Sequence, residues 1–366
     1  MIQSMDEKLL KLAKIFQIDG EYLGFEEIGS GHINTTYCVR FLSGKSEDYI
    51  FQKINTYVFK APVAVMENIS SVTEFIRHKT RGSSDGKSLL RYQRTREGAY
   101  YHVLEDGSFW RCCRYIQNSK TFLTPENEQV VKECGRAFGE FQKHLLGYPV
   151  SSLNIVIPHF HNTILRFDAL REAIENNRAN RKRLAEKEMD GFFALEEVAC
   201  EPYKMQTRGE LPLRVTHNDT KISNVLFDKD TGERLCVIDL DTVMPGLVAF
   251  DFGDAIRSNA NMGKEDEQDQ TKCKLDLRKY QAFTDGFLGE VGGFLWSAEK
   301  QSLALGALAM TVECGARFLT DYLNGDQYFR VHYENHNLVR ARCQLALARD
   351  MLKNFEKMQE IVEKHS

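Results

Sequence analysis

The dominant hydrophobic period of this chain turns helical close to Thr124, and that change restricts the fold more than any single residue does. Ahead of it, apolar residues fall in short β-branched and aromatic runs. Residues 25–28 and 35–41 flank a Gly29-Ser30-Gly31 break, which predicts two strands joined by a glycine turn. A third strand is expected over 49–54, where Phe51 and Lys53 share one face and Ile50, Gln52 and Ile54 the other. Past Pro62, the spacing of Val65, Met66, Ile69, Val72, Phe75 and Ile76 is helical. Two further strands are expected at 98–104 and 108–116, separated by Glu105-Asp106-Gly107.

Behind the change the period is helical. Val130, Val131, Cys134, Ala137, Phe138, Phe141, Leu145 and Leu146 outline one long amphipathic helix. Residues 171–190 carry densely mixed charge and predict a solvated helix face. Short β-like runs at 213–216, 225–227 and 235–238 interrupt the pattern, and 279–364 predicts several more helices. At the start, 1–17 reads as a short amphipathic helix, because Lys8, Lys11 and Lys14 break up any continuous apolar core. There is no internal repeat and no low-complexity linker. The expected architecture is α+β with two packed lobes: a strand-rich 1–118 containing one helix, and a larger, mainly α-helical 119–366.

Composition narrows the partners. Among 366 residues, 48 Lys and Arg oppose 52 Asp and Glu, a net charge of −4, so there is no basic face to displace counterions from nucleic acid or anionic lipid. Nine cysteines without a Cys-x-x-Cys pair argue against a zinc ribbon and a disulfide framework. No run reaches the roughly eighteen apolar residues of a membrane span. The expectation is a cytoplasmic protein with neither a nucleic-acid nor a membrane partner. Oligomeric state is not legible.

Chemistry concentrates in His217-Asn218-Asp219-Thr220-Lys221-Ile222-Ser223-Asn224, followed by Cys236-Val237-Ile238-Asp239. An Asp precedes an Asn by five residues after a short strand, and a second Asp ends an apolar strand fifteen residues later. Phosphoryl transfer from ATP needs this inventory: a carboxylate for the attacking hydroxyl, and an Asn with an Asp to hold Mg2+. A lone Asp-x-x-x-x-Asn, a lone glycine break or a lone strand lysine would mean little. Together they follow the kinase order. Asp251-Phe252-Gly253 spells the protein-kinase metal motif, but it lies twenty-seven residues past Asn224. Asp239 is therefore the expected ligand, and Asp251 a structural support.

These motifs resemble the aminoglycoside phosphotransferase and choline kinase superfamily. Gly-Ser-Gly-His-Ile-Asn at 29–34, Phe-Gln-Lys-Ile-Asn at 51–55, His-Asn-Asp-Thr-Lys at 217–221 and Ile-Asp-Leu-Asp-Thr-Val-Met-Pro-Gly at 238–246 are similar to its N-acetylhexosamine 1-kinase group, as is Arg-Phe-Leu-Thr-Asp-Tyr-Leu at 317–323. The resemblance implies a bilobal protein-kinase-like fold, with a small antiparallel sheet and one helix in the first lobe and ATP at the junction near 116. It implies Asp219 as catalytic base, Lys221 directed at the γ-phosphate, and Asn224, Asp239 and Asp241 around Mg2+. Lys53 matches the strand lysine on the α- and β-phosphates. Its acidic partner is Glu67 or Glu74, two turns apart on one helix face, with Glu67 preferred. Gly29, Ser30 and Gly31 form the phosphate-covering turn, and Arg114, Tyr115 and Ile116 the adenine-contacting hinge.

The acceptor is read from the resemblance: a small-molecule sugar, phosphorylated on the anomeric 1-hydroxyl of N-acetylglucosamine or N-acetylgalactosamine. His32, Asn218, Arg317, Asp321 and Tyr322 are the substrate candidates. Two alternatives stand. One is a kinase for another small alcohol, such as choline, ethanolamine, homoserine or an aminoglycoside; the other is a catalytically silent nucleotide-binding regulatory protein. His332 and His336, four residues apart, lack a third metal ligand, and His159 and His161 are packing residues or substrate neighbours.

Overall fold

A computed structural model describes residues 4–29, 33–43, 45–81 and 89–365. Helix α1 (Met5–Ile15) begins at Ser4, whose hydroxyl accepts the Glu7 N–H while the Glu7 carboxylate accepts the Ser4 N–H. This reciprocal cap satisfies two amides that a helix start leaves unpaired. Strands β1 (Glu21–Ile28), β2 (Thr35–Ser43) and β3 (Lys45–Ile54) follow, then α2 (Pro62–Lys79), β4 (His102–Val103) and β5 (Phe109–Arg114). The strands form one antiparallel sheet in the order β1-β2-β3-β5-β4. Alternation gives the sheet two uses. Tyr37, Val39, Phe41, Phe51, Trp110 and Cys112 turn towards α1 and close a core with Leu9, Leu12 and Phe16. Gln52 and Arg111, paired in register, face the other way.

The sheet ends at Arg114, and the next strand, β6 (Ser119–Lys120), already pairs in a different sheet. Then come α3 (Glu128–His144), α4 (Thr163–Asn176), α5 (Glu186–Phe193) and α6 (Glu196–Thr207). Strands β7 (Arg214–Thr216), β8 (Val225–Asp228), β9 (Arg234–Val237) and β10 (Met244–Gly246) lead to α7 (Val248–Asn259). The chain closes with α8 (Leu277–Val291), α9 (Ser297–Asn324), α10 (His336–Lys353) and α11 (Phe355–Glu363). The antiparallel sheet followed by a helical body is the expected α+β arrangement. Helix α2 joins the halves: Val65, Ile69, Val72 and Ile76 enter the core of the helical part. Buried Asn68 donates from Nδ2 to the carbonyls of Asn154 at 2.8 Å and Val243 at 2.9 Å, and Lys79 Nζ donates to the Lys143 and Leu146 carbonyls at the end of α3.

Three expectations change. The charged stretch 171–190 is not one helix, because Asn177 adopts a left-handed φ of 41° that ends α4, and α5 starts only at Glu186. The 98–104 segment contributes only the two residues of β4. The sequence predicts no run of membrane-spanning length and apolarity, yet helix α9 is long and apolar enough to be one, with 83% of its apolar window buried. It is the central helix of the body, covered by α4, α6, α7, α10 and α11, so its lack of a polar face reflects burial on every side.

Candidate functional site

Helix α7 holds the loop that carries the motif. Asp251 accepts the His217 N–H at 2.8 Å and the Asn218 N–H at 2.7 Å, and Asp254 accepts the Thr220 N–H at 2.9 Å. Asn259 takes the Ile222 N–H, and the Thr220 hydroxyl donates back to the Asp251 carbonyl. Asp251 is 2% exposed. Four loop amides thus find acceptors on one helix, which lets a buried irregular segment stay ordered. The letters Asp251-Phe252-Gly253 have a structural meaning. Phe252 is fully buried against Tyr280, Phe283 and Phe287. A Cβ on Gly253 would lie 2.3 Å from the Gly306 carbonyl oxygen, so glycine lets α9 approach.

The loop presents a compact charged group. Asp219 Oδ2 accepts Lys221 Nζ at 2.8 Å and Asn224 Nδ2 at 3.0 Å. Its surroundings disfavour charge, but Lys221 more than offsets them and holds the carboxyl below its ordinary value, so Asp219 is an anion at neutral pH. Lys221 is raised in turn, its own desolvation being outweighed by Asp219. His217 Nε2 donates to the Ile238 carbonyl at 2.9 Å, and its Nδ1 accepts the Asp219 N–H at 3.3 Å. One ring thereby ties Asp219 to the segment leading to Asp239. Asn218 and Asp239 both adopt left-handed φ, 64° and 60°. Such strain on non-glycine residues persists only where the surroundings enforce it.

Asp239 has no hydrogen-bond partner for its carboxylate among the described residues. Its carboxylate opens to solvent, yet the enclosing protein, then the charges of Asp241 and Asp219, push its pKa up to about 6. Asn224 Nδ2 is spent on Asp219. Its Oδ1 and the Asp239 carboxylate remain as hard oxygen donors amid surplus negative charge. That set fits Mg2+, which takes one or two protein ligands and completes its shell with phosphates and water.

The sheet's side of the site departs from expectation. Both oxygens of Asp241, 2% exposed, are occupied: Oδ1 by the Arg111 guanidinium and Oδ2 by Asn34 Nδ2 at 2.6 Å. Asp241 therefore anchors the sheet to the body through both carboxylate oxygens. Arg111, 1% exposed, also donates from Nε to Gln52 Oε1 at 2.9 Å. Burial opposes its charge, but Asp241 raises its pKa above the usual value. Lys53 is not in the cleft. It follows Phe51 on the α1 face of the sheet and is exposed, because the alternation that buries Phe51 carries Lys53 to the same side. Neither acid of α2 meets it: Glu67 accepts Asn154 Nδ2 at 3.0 Å, and Glu74 pairs with Tyr100 and Arg94. Arg114, Tyr115 and Ile116 do lie at the junction of the lobes, the Tyr115 N–H bonding the Asp48 carbonyl. Gly29 sits in the turn after β1, whereas Ser30, Gly31 and His32 lie outside the described residues.

Of the substrate candidates, Asn218, Asp321 and Tyr322 are structural. Asn218 is 5% exposed and bonds Thr216 and Thr242. Asp321 accepts the N–H groups of Gln327, Tyr328 and Phe329 together with Asn337 Nδ2. Tyr322 is fully buried and donates to Asn335. Arg317 is half-buried, makes no ion pair among the described residues, and packs over Phe160, Tyr328 and Phe329. Its ring partner Phe160 packs on His161, whose Nδ1 meets Glu313 at 2.9 Å and whose Nε2 meets the Asn218 carbonyl of the motif loop at 3.4 Å. Beside it is Arg166, held below its usual pKa by burial and then by Arg317, with its Nε buried and unpartnered. Sequence reasoning missed Arg111, Asn34, Arg166 and Glu313. The arginine inside Phe-Trp-Arg-Cys-Cys was the one visible signal.

A kinase-like sheet and helical body, joined over a base, an amide and a free carboxylate, define a phosphotransferase of small molecules. The Phosphotransferase enzyme family (APH) model matches residues 24–284, well over half of the chain, and the chain belongs to that family. Solved structures share the fold at low identity. An aminoglycoside phosphotransferase from Alicyclobacillus acidocaldarius subsp. acidocaldarius DSM 446 has a TM-score of 0.64 at 12% identity over 94% of each chain. An amicoumacin kinase in complex with AMP-PNP, Ca2+ and Ami gives 0.57 at 12%, covering 97% of this chain and 94% of that one. A choline/ethanolamine kinase family protein from Mesorhizobium loti gives 0.52 at 17%, covering 98% and 99%.

Proposed function

We propose that this protein transfers the γ-phosphoryl group of ATP, with Mg2+, directly to the anomeric 1-hydroxyl of an N-acetylhexosamine. The observation that carries the transfer chemistry is the Asp219 carboxylate held by Lys221 and Asn224 within hydrogen-bond distance. Asp219 accepts the proton of the attacking hydroxyl, a contribution of about 10²–10⁴ in rate. Lys221 offsets charge that develops on the transferred group. Asn224 and Asp239 hold the metal, which supplies charge neutralisation at the phosphates. ATP as donor and a divalent metal fit the nucleotide and ion bound by the amicoumacin kinase. Arg111, buried between Gln52 and Asp241, holds the sheet against the body beside the metal carboxylates.

A neutral sugar is favoured over a cationic acceptor by Arg166 and Arg317 beside the loop. Choline, ethanolamine or an aminoglycoside would meet positive charge there and, among the described residues, no cluster of unpaired acids beside Arg166 and Arg317. The test is ATP consumption with N-acetylglucosamine, N-acetylgalactosamine, glucose, choline, homoserine and an aminoglycoside, with phosphorus NMR of the product. An N-acetylhexosamine 1-phosphate is expected. Phosphocholine alone would overturn the acceptor, and nucleotide binding without turnover on any acceptor would favour a silent nucleotide-binding protein.

A further inference from the structure

Far from the cleft, two cysteines from distant parts of the chain meet. Cys273 closes the loop excursion between α7 and α8, and Cys343 lies on α10, seventy residues later. Both are free thiols, 1% and 0% exposed, with their sulfurs 2.8 Å apart. The excursion is tied at its base by reciprocal backbone contacts: Met262 N–H to the Lys274 carbonyl, and Asp276 N–H to the Ala260 carbonyl. Asn261 Nδ2 points at the Cys343 sulfur at 3.5 Å. Lys272 and Lys274, on either side of the buried Cys273, are exposed, so Cys273 lies just under the surface of the excursion.

We propose that Cys273 and Cys343 form an oxidisable dithiol that closes into a disulfide with hydrogen peroxide, locking the 262–274 excursion onto α10. The Cys273 thiol faces the Cys343 sulfur as a donor, which lowers the Cys343 pKa and raises that of Cys273. Cys343 Sγ also donates to the Lys264 carbonyl at 3.1 Å, and in the proposed sequence it gives up that proton and attacks first. Its sulfur takes one oxygen of the peroxide, and the O–O bond breaks. The departing hydroxide takes up the proton that Cys343 gave, forming water, and Cys343 becomes a sulfenic acid. The Cys273 sulfur then attacks the Cys343 sulfur, the S–O bond breaks, and the hydroxyl leaves with the Cys273 proton as a second water. Two thiols lose two electrons, and one peroxide becomes two waters.

The lock reaches towards the catalytic loop. Glu265, within the excursion, lies 3.4 Å from Arg257 of α7 and 3.7 Å from Arg340 of α10, and Arg257 pairs at 2.8 Å with Asp254, the acceptor of the Thr220 amide. Closing the excursion onto α10 fixes the carboxylate that this chain of charges shares.

The test is stoichiometric peroxide on the full-length protein, then alkylation of remaining thiols, proteolysis and mass spectrometry. Expected is a peptide pair joined through Cys273 and Cys343 and lighter by two hydrogens, reversed by dithiothreitol, with amide exchange across 262–274 slower in the oxidised protein. The Cys343→Ser variant should yield no such pair. Alkylation of both thiols in peroxide-treated wild-type protein, or a disulfide using other cysteines, would overturn the proposal without recourse to a variant.

Discussion

Arg111 and Lys53 stand on adjacent strands, and only the arginine lies on the face that meets the body, where it fixes Asp241. A lysine on the outer face is replaceable, so Lys53→Met should leave the KM for ATP within about twofold. Arg111→Lys keeps a charge but loses the planar fork that spans Gln52 and Asp241, and should raise that KM by about tenfold, about 1.4 kcal/mol of binding. Steady-state kinetics over a range of ATP concentrations check both; the reverse ranking would restore Lys53 to the site. Lys221 has a pH signature. It is the chief favourable influence holding Asp219 below its ordinary value. Without that cation the carboxyl titrates higher, and the base is protonated at a pH where the wild type is still ionised. The acid limb of kcat/KM against pH should therefore move to higher pH in Lys221→Ala, and an unmoved limb would contradict the assignment.

At the scale of elements, α7 supports the motif loop. Asp251→Ala leaves the buried amides of His217 and Asn218 without acceptors, at about 1–3 kcal/mol each. Gly253→Ala forces a methyl against the Gly306 carbonyl and should cost about 1–3 kcal/mol. Urea melts read both losses; unchanged stability in Asp251→Ala would show that α7 does not carry the loop, and in Gly253→Ala that α9 does not need the glycine to approach. The role of Asp251 was legible because Asp239, not Asp251, ends an apolar run at the right distance. The place of Lys53 was legible in part: alternation put it with Phe51, but which face meets the cleft depends on α1 covering the Phe51 side, a tertiary fact. Asp321 and Tyr322 misled because a motif does not show whether its polar atoms are already spent within the fold. Arg111 escaped notice because its partner, Asp241, lies 130 residues away.

Over the whole molecule, the change of hydrophobic period anticipated the two-part architecture, since strand and helix patterns are local properties. It could not anticipate that α2 would share the core of the helical body, or that an apolar α9 would be buried all round, because both depend on how elements stack. The two parts meet through Asn68, Asn34 and Arg111, so a ligand seated between them should stabilise the entire fold. A nonhydrolysable ATP analogue with Mg2+ at 100 times its Kd should add about 2.7 kcal/mol to the unfolding free energy. In Asp239→Asn that gain should no longer depend on Mg2+, and a metal response equal to the wild type in calorimetry would remove Asp239 from the metal site.

The central claim is that Asp219 drives transfer from ATP to a hydroxyl. Its most direct test follows the γ-phosphorus of labelled ATP into N-acetylglucosamine or N-acetylgalactosamine with wild type and Asp219→Asn at matched nucleotide saturation. Label should enter the sugar at its 1-position with the wild type and fall by about 10²–10⁴ in the variant while nucleotide affinity holds. Undiminished transfer by Asp219→Asn would contradict the account.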